Sequence, residues 1–261
     1  MLFPVLKQHI LPDLVDERMR VLLTNDDGIE ADGLLALHKS VEHCFGNDVE
    51  IMVVAPDRGR SECGHSVTTS RALKIEQVKP GWLAVDGTPV DCVRAAFGTL
   101  QQEVDLVLSG VNAGANLGVD LLVSGTFAAA REAAMHGIPA MAISHYRHPD
   151  VPTTWDHVPR WVADTMRDFG EKAERRKAGG ETKPTMLWNV NLPAIPPDAE
   201  TPPTVRCGVD TEPMVREPLL QGKFLRFTAD FHARPRGPKL DVDRCFNGQM
   251  TISEFSQPFH M

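Results

Sequence analysis

No stretch of the 261-residue chain approaches the ~18 consecutive apolar residues that a membrane-spanning helix requires, so no membrane partner is expected. Positive charge is also short. The 27 Lys and Arg stand against 35 Asp and Glu, a formal charge of -8, whereas nonspecific nucleic-acid binding depends on the opposite balance. A nucleic-acid partner is therefore not expected, although a small phosphorylated substrate remains open because a bound cation can invert the local field. The five cysteines, Cys44, Cys63, Cys92, Cys207 and Cys245, include no C-x-x-C pair and are odd in number. That pattern suits free thiols in a reducing compartment rather than a disulfide framework. Residues 1–18 mix Leu and Ile with Lys7, His9, Asp13, Asp16 and Glu17, and so lack the unbroken apolar segment of a signal peptide. A cytoplasmic protein is the expectation. Missing motifs narrow the chemistry further. There is no G-x-S-x-G elbow and no Cys/His nucleophile signature, which leaves water as the favoured nucleophile. No G-x-G-x-x-G follows the first strand, which argues against a dinucleotide-dependent oxidoreductase.

What is present reads as an α/β fold. Met19 to Asn25 is an apolar run stopping at Asp26-Asp27-Gly28, the pattern of a buried strand ending in a turn. Leu34, Leu37, Val41 and Phe45 recur at helical spacing before Gly46-Asn47, and Val49 to Ala55 forms a second buried strand, completing a βαβ unit. Thr88-Pro89 reads as an N-cap and first helical residue, with Val93, Phe97 and Leu100 on the apolar face. Asp105 to Leu108 is the next strand; Ser124-Gly125-Thr126 starts a helix ended by Gly137; Ile138 to Ile143 is another strand. This alternation predicts a mostly parallel sheet with helices on both faces. Trp161, Val162, Met166 and Phe169 mark one more helix, Glu171 to Lys183 reads as a charged linker, and Met186 to Leu192 as a strand. Alternation over Phe224 to Phe231 and Met250 to Phe255 suggests strands or a hairpin. The expected organisation is an extension at 1–18, a catalytic body at 19–195 and a C-terminal appendage at 196–261 carrying an oligomerisation hairpin.

In open parallel sheets ligands bind beyond the carboxyl ends of the strands, and the polar clusters fall there: Asn25-Asp26-Asp27-Gly28, Asp57 to Ser61, and Ser109 to Asn116. Adjacent carboxylates repel unless something positive is shared between them. Carboxylate, hydroxyl and amide oxygens suit a hard divalent cation such as Mg²⁺, Mn²⁺ or Ca²⁺. The alternative is that Asp26 caps a turn and Asp27 the following helix. Asn112 and Asn116 with Gly110, Gly114 and Gly118 resemble a phosphate cradle or, equally, an Asn/Gly turn. Ser124-Gly125-Thr126 offers helix N-H groups to an anion, or is a plain N-cap. Arg58 and Arg60 either hold a phosphate or pair with nearby carboxylates, and His65 is a proton donor or structural. His145-Tyr146-Arg147-His148 lacks zinc spacing and reads as a surface loop.

Together M-R-V-L-L-T-N-D-D-G at 19–28, V-V-A-P-D-R-G-R-S at 53–61, G-H-S at 64–66, V-D-G-T-P-V-D-C-V at 85–93, S-G-V-N-A-G-A-N-L-G at 109–118, S-G-T at 124–126 and N-V-N-L-P at 189–193 resemble the SurE family of survival-protein nucleotidases. The resemblance implies a Rossmann-like body with a C-terminal β-hairpin appendage. It implies one divalent metal ion per subunit, Mg²⁺ or Mn²⁺, held by Asp26, Asp27, Ser61 and Asn112, with the two aspartates catalytic. It places the substrate phosphate against Asn116, Gly114, Ser124, Gly125 and Thr126. The implied reaction is hydrolysis of nucleoside 5′- and 3′-monophosphates, with short polyphosphate as a further substrate of some members, in a homodimer or homotetramer built through the hairpin. A noncatalytic nucleotide sensor is the competing reading; two anions facing a phosphate ligand argue against it.

Overall fold

The computed structural model describes residues 18–46, 48–99, 103–180 and 186–256; the expected extension at 1–18 lies outside them except for Arg18. In chain order the elements are β1 (Met19–Thr24), α1 (Asp32–Phe45), β2 (Val49–Pro56), β3 (Ile75–Lys79), β4 (Trp82–Val85), α2 (Pro89–Thr99), β5 (Leu106–Ala113), a 3-10 helix (Gly118–Val123), α3 (Gly125–Met135), β6 (Ala140–His145), α4 (Val158–Ala178), β7 (Leu187–Leu192), β8 (Thr204–Arg206), β9 (Glu217–Gln221), β10 (Phe224–Thr228), α5 (Asp241–Phe246) and β11 (Met250–Phe255). Nine strands form one sheet in the order β3-β4-β2-β1-β5-β6-β7-β11-β8. From β4 to β7 every neighbouring pair is parallel. The chain leaves β1 for β2 on one side and returns as β5 on the other, so the strand order reverses between β1 and β5. That reversal opens a crevice at their carboxyl ends.

Successive side chains of a strand face opposite sides of the sheet, and β1 shows the consequence. Val21 and Leu23 join the core shared with Leu34, Leu37 and Val41 of α1 and Trp161, Met166 and Phe169 of α4. Leu22 joins the opposite core with Cys92, Val93 and Ala96 of α2 and Phe127, Ala130 and Ala133 of α3. Both faces of the central strands are buried in apolar cores, which is why these strands read as unbroken apolar runs. The start of α2 is a reciprocal cap: Thr88 N donates to Asp91 Oδ2 at 2.9 Å, Asp91 N donates to Thr88 Oγ1 at 3.2 Å, and Pro89 takes the first helical position. All five cysteines are free thiols, and among the described residues no helix is long and apolar enough to cross a membrane.

Three segments differ from the sequence reading. The expected linker at 171–183 is helical through Ala178, because Lys172–Asp168 (2.8 Å) and Arg175–Glu171 (3.5 Å) pair at i,i+4 and three basic residues in its last turn complement the helix dipole. β5 runs on to Ala113, so the segment expected as an Asn/Gly loop is partly strand, with its register against β6 shifted between Ser109 and Asn112. β3 and β4, which the sequence does not signal, extend one edge of the sheet. In the tail, β9 and β10 pair as a separate antiparallel hairpin, while β11 enters the main sheet antiparallel to β7.

Candidate active site

At the end of β1 the turn is closed by Asn25, whose Nδ2 donates to Gly28 O at 2.8 Å and whose Oδ1 accepts from Gly28 N at 3.2 Å. The N-cap of α1 is Ala31, with no side-chain hydrogen bond. Neither aspartate is therefore needed as a turn or helix cap. Asp26 is 5% exposed, and its Oδ1 accepts from Thr126 Oγ1 at 2.5 Å. Burial pushes its carboxyl up to about 6, against the Thr126 hydroxyl, which holds it down, and with the like charge of Asp27 adding to the rise. Gly125 packs closely beside it: a Cβ there would sit 3.0 Å from both Asp26 Cβ and Asp26 Oδ2. Asp27 Oδ2 accepts from Ala113 N at 3.1 Å, and Arg60 N donates to Asp26 O at 2.7 Å. The loops after β1, β2 and β5 are thus tied together through the two aspartates.

A cleft of about 370 Å³ opens at this point, lined by Asp26, Asp27, Ser61, Asn112, Asn116, Ser124 and Gly125 together with Met214, Arg216 and Phe231. Asn112 donates its Nδ2 hydrogen to Gly114 O at 2.8 Å, which leaves its Oδ1 free. Asn116 is held more firmly. Its backbone N donates to Asn191 Oδ1 (2.9 Å), its carbonyl accepts from Asn189 Nδ2 (2.9 Å) and Asn191 Nδ2 (3.0 Å), and its Nδ2 donates to Ser144 Oγ (2.8 Å). Sequence reasoning does not single out Ser144, Asn189 or Asn191 as site residues. The one signal for them is the pair of polar residues in N-V-N-L-P, inside a run otherwise apolar enough to be a buried strand. Gly110 lets β5 pass β6 closely, since a Cβ there would lie 2.2 Å from Ile143 O.

Two residues expected at the phosphate do not line the cleft. Thr126 is fully buried, with its hydroxyl committed to Asp26, and Gly114 presents its carbonyl to Asn112. Ser124 caps α3 by accepting from Phe127 N at 3.1 Å. Arg58 and Arg60 pair with Asp57 at 3.0 and 2.9 Å. His65 meets the Arg131 guanidinium, and burial followed by that charge lowers its pKa, so it is kept neutral. Of the stretch from His145, only His145 is strand and Tyr146 is buried, while Arg147 and His148 are half-buried in irregular chain. His145 ends β6, is 2% exposed, and shares a 2.7 Å hydrogen bond with His157; burial, then the neighbouring Arg147 charge, lowers the two imidazoles to about 3 and about 4. β6 lies deep in the sheet, so its carboxyl end remains inside the molecule where sequence polarity suggests an exit.

The residues present suit a hard divalent cation. Among the described residues no group of three or more His, Cys, Asp or Glu is gathered for a metal. The available donors are two carboxylates, the Ser61 hydroxyl and the free Asn112 oxygen, all facing one cleft. The arginines around them are engaged by other carboxylates, Arg58 and Arg60 by Asp57, and Arg216 and Arg234 by Asp120. Asp26 has no cationic neighbour in that group to offset its burial.

Comparison with known proteins identifies the family. The family model described as survival protein SurE matches residues 21–210. A putative 5′-nucleotidase of Nostoc sp. is 39% identical over 236 residues, 90% of this chain and 99% of that protein. The 5′-nucleotidase SurE of Desulforamulus reducens is 42% identical over 183 residues, 67% of this chain and 66% of that protein. The crystal structure of the SurE protein from Aquifex aeolicus superposes with a TM-score of 0.72 at 26% identity, covering 90% of this chain and 92% of that one. With the paired aspartates, the Ser61 loop and the Asn112 strand all inside the matched span, the chain belongs to the SurE family of survival proteins.

Proposed function

We propose that the chain is a divalent-metal-dependent phosphomonoesterase that hydrolyses nucleoside 5′- and 3′-monophosphates, with short polyphosphate as a further substrate. Support comes from the relatives, which carry the name 5′-nucleotidase. The observation that carries the reading is the meeting of Asp26 and Asp27 with Ser61 and Asn112 in one cleft at the strand-order reversal. Those four residues would hold one Mg²⁺ or Mn²⁺ per chain. When bound, such an ion supplies charge neutralisation for the phosphoryl oxygens and lowers the pKa of water.

The chain's own groups do the rest. Asn116, immobilised by Asn189, Asn191 and Ser144, presents an amide to the phosphate. The first turn of α3 at Ser124 and Gly125 adds the positive end of a helix. Thr126 and Gly114 act behind the wall by orienting Asp26 and Asn112. In-line attack by water then depends on position and charge, the terms that dominate phosphoryl transfer; the water's proton passes to the aspartate pair, the ester P–O bond breaks, and the nucleoside leaves as its alcohol with a proton taken from solvent. No covalent aspartyl intermediate is required.

The hairpin β9–β10 supports a homo-oligomer. Every residue of both strands is exposed, and Leu220 opposite Leu225, with Pro218 opposite Phe227, makes one face apolar. A lone two-stranded hairpin is marginal in water, so a second copy is the proposed cover. The five free thiols support a reducing, cytoplasmic setting.

The test of function is phosphate release from AMP and GMP with added Mg²⁺ or Mn²⁺ and with chelator. Release that stops in chelator is expected. Nucleotide binding without release would favour a sensor instead.

A further inference from the structure

We propose that Met214, Arg216 and Phe231 form the wall that recognises the nucleoside half of the substrate; this rests on the nucleotidase reading and extends it to specificity. The cleft lining holds two chemically different sets of residues. One is built of oxygen donors and amide groups at the sheet edge. The other presents a thioether, a guanidinium and a phenyl ring, which have little to offer a phosphate bound to a cation but are well suited to covering an aromatic base. At about 370 Å³ the cleft is far larger than a phosphate needs and falls in the roughly 300–1,000 Å³ range of small-molecule pockets. A second cavity of about 460 Å³ adjoins it, sharing Met214 and lined further by Glu217, Asp230 and Arg234.

This wall is fixed to the body. The Arg234 side chain is fully buried and its Nη1 donates to Asp120 Oδ2 at 2.5 Å, while Arg216 Nη2 reaches the other oxygen of the same carboxylate at 3.5 Å. Asp120 lies in the 3-10 helix leading into α3 and itself lines the cleft. Phe231 packs from behind against Tyr146 and Phe246, with ring centres 5.9 and 5.7 Å away, and the Arg234 guanidinium sits 5.4 Å from its ring centre. An aromatic side chain so held contributes contact area at little entropic cost. All three wall residues lie beyond residue 210, where the match to the family model ends.

The test compares Arg216→Ala, Phe231→Ala and the gentler Phe231→Leu with the parent protein, each checked for folding by circular dichroism. AMP and glycerol 2-phosphate, an ester without a base, are assayed with Mn²⁺, and AMP binding is measured by calorimetry. The ratio of kcat/KM for AMP over glycerol 2-phosphate is expected to fall about tenfold in Phe231→Ala and Arg216→Ala, and less in Phe231→Leu, with AMP affinity falling in step. An unchanged ratio with unchanged AMP affinity in folded variants would overturn the wall. If the parent releases phosphate from neither ester, the nucleotidase reading fails; AMP affinity in the variants then still decides whether the wall binds a nucleoside.

Discussion

Asp26→Asn separates the demands of folding from those of chemistry. In the metal-free protein the Asp26 carboxyl is raised from 3.8 to about 6, so an ionised Asp26 destabilises the fold. That cost is absent below about pH 3.8, where both folded and unfolded chains hold the proton, grows between 3.8 and 6, and is complete above 6. A rise of this size corresponds to about 3 kcal/mol, at about 1.36 kcal/mol for each pH unit, part of it from the neighbouring Asp27. Asparagine keeps an oxygen for the Thr126 hydroxyl and removes the charge. In chelator at pH 7.5 the variant should therefore be more stable than the parent by up to about 3 kcal/mol, or about 6–12 °C in Tm for a domain of this size. At pH 4 the two should nearly coincide. Saturating Mn²⁺ should restore the parent, by about 2.7 kcal/mol at a hundredfold excess over Kd, and leave the variant unmoved and inactive. Urea and thermal unfolding followed by circular dichroism at both pH values, with and without Mn²⁺, read this out. A variant that is equally or less stable than the parent at pH 7.5 in chelator would refute the assignment of Asp26 as an unpaired buried charge.

Thr126→Val removes the hydroxyl that orients Asp26 and should weaken Mn²⁺ affinity about 10–100-fold, the usual effect of losing an outer partner of a metal ligand; unchanged affinity by calorimetry would contradict it. Asn191→Leu leaves the Asn116 backbone N-H without its acceptor, which should cost about 1–3 kcal/mol in urea unfolding and raise the KM for AMP while Mn²⁺ affinity holds. Leu220→Asp together with Phe227→Asp places charges on the apolar face of the hairpin and should shift sedimentation toward monomer without changing the far-ultraviolet spectrum.

The body of this fold is legible because its signals are local. The apolar run of β1, the helical spacing of α1, Thr88-Pro89 at the start of α2 and Ser124 at the start of α3 each express a short-range rule, and the structure follows them. The three loops of the cleft can be inferred to converge because parallel strands all end on one side. The division of labour within them is hidden. Nothing in Ser124-Gly125-Thr126 tells that the threonine turns inward to Asp26 while the serine caps, and nothing in N-V-N-L-P tells that its two amides grip a loop some 75 residues away. The charged end of α4 misleads because Gly-containing charge runs resemble linkers until their i,i+4 pairs are counted. Met214 and Arg216, which also line the cleft, come from a segment with no helical or alternating apolar pattern to announce them.

The proposed activity depends on Asp26 and Asp27 sharing one ion with Ser61 and Asn112. The most direct measurement is a calorimetric titration of chelator-stripped parent and Asp27→Asn protein with Mn²⁺. One ion per chain bound by the parent and no saturable binding by the variant is the expected result. Equal stoichiometry and affinity in both would contradict it.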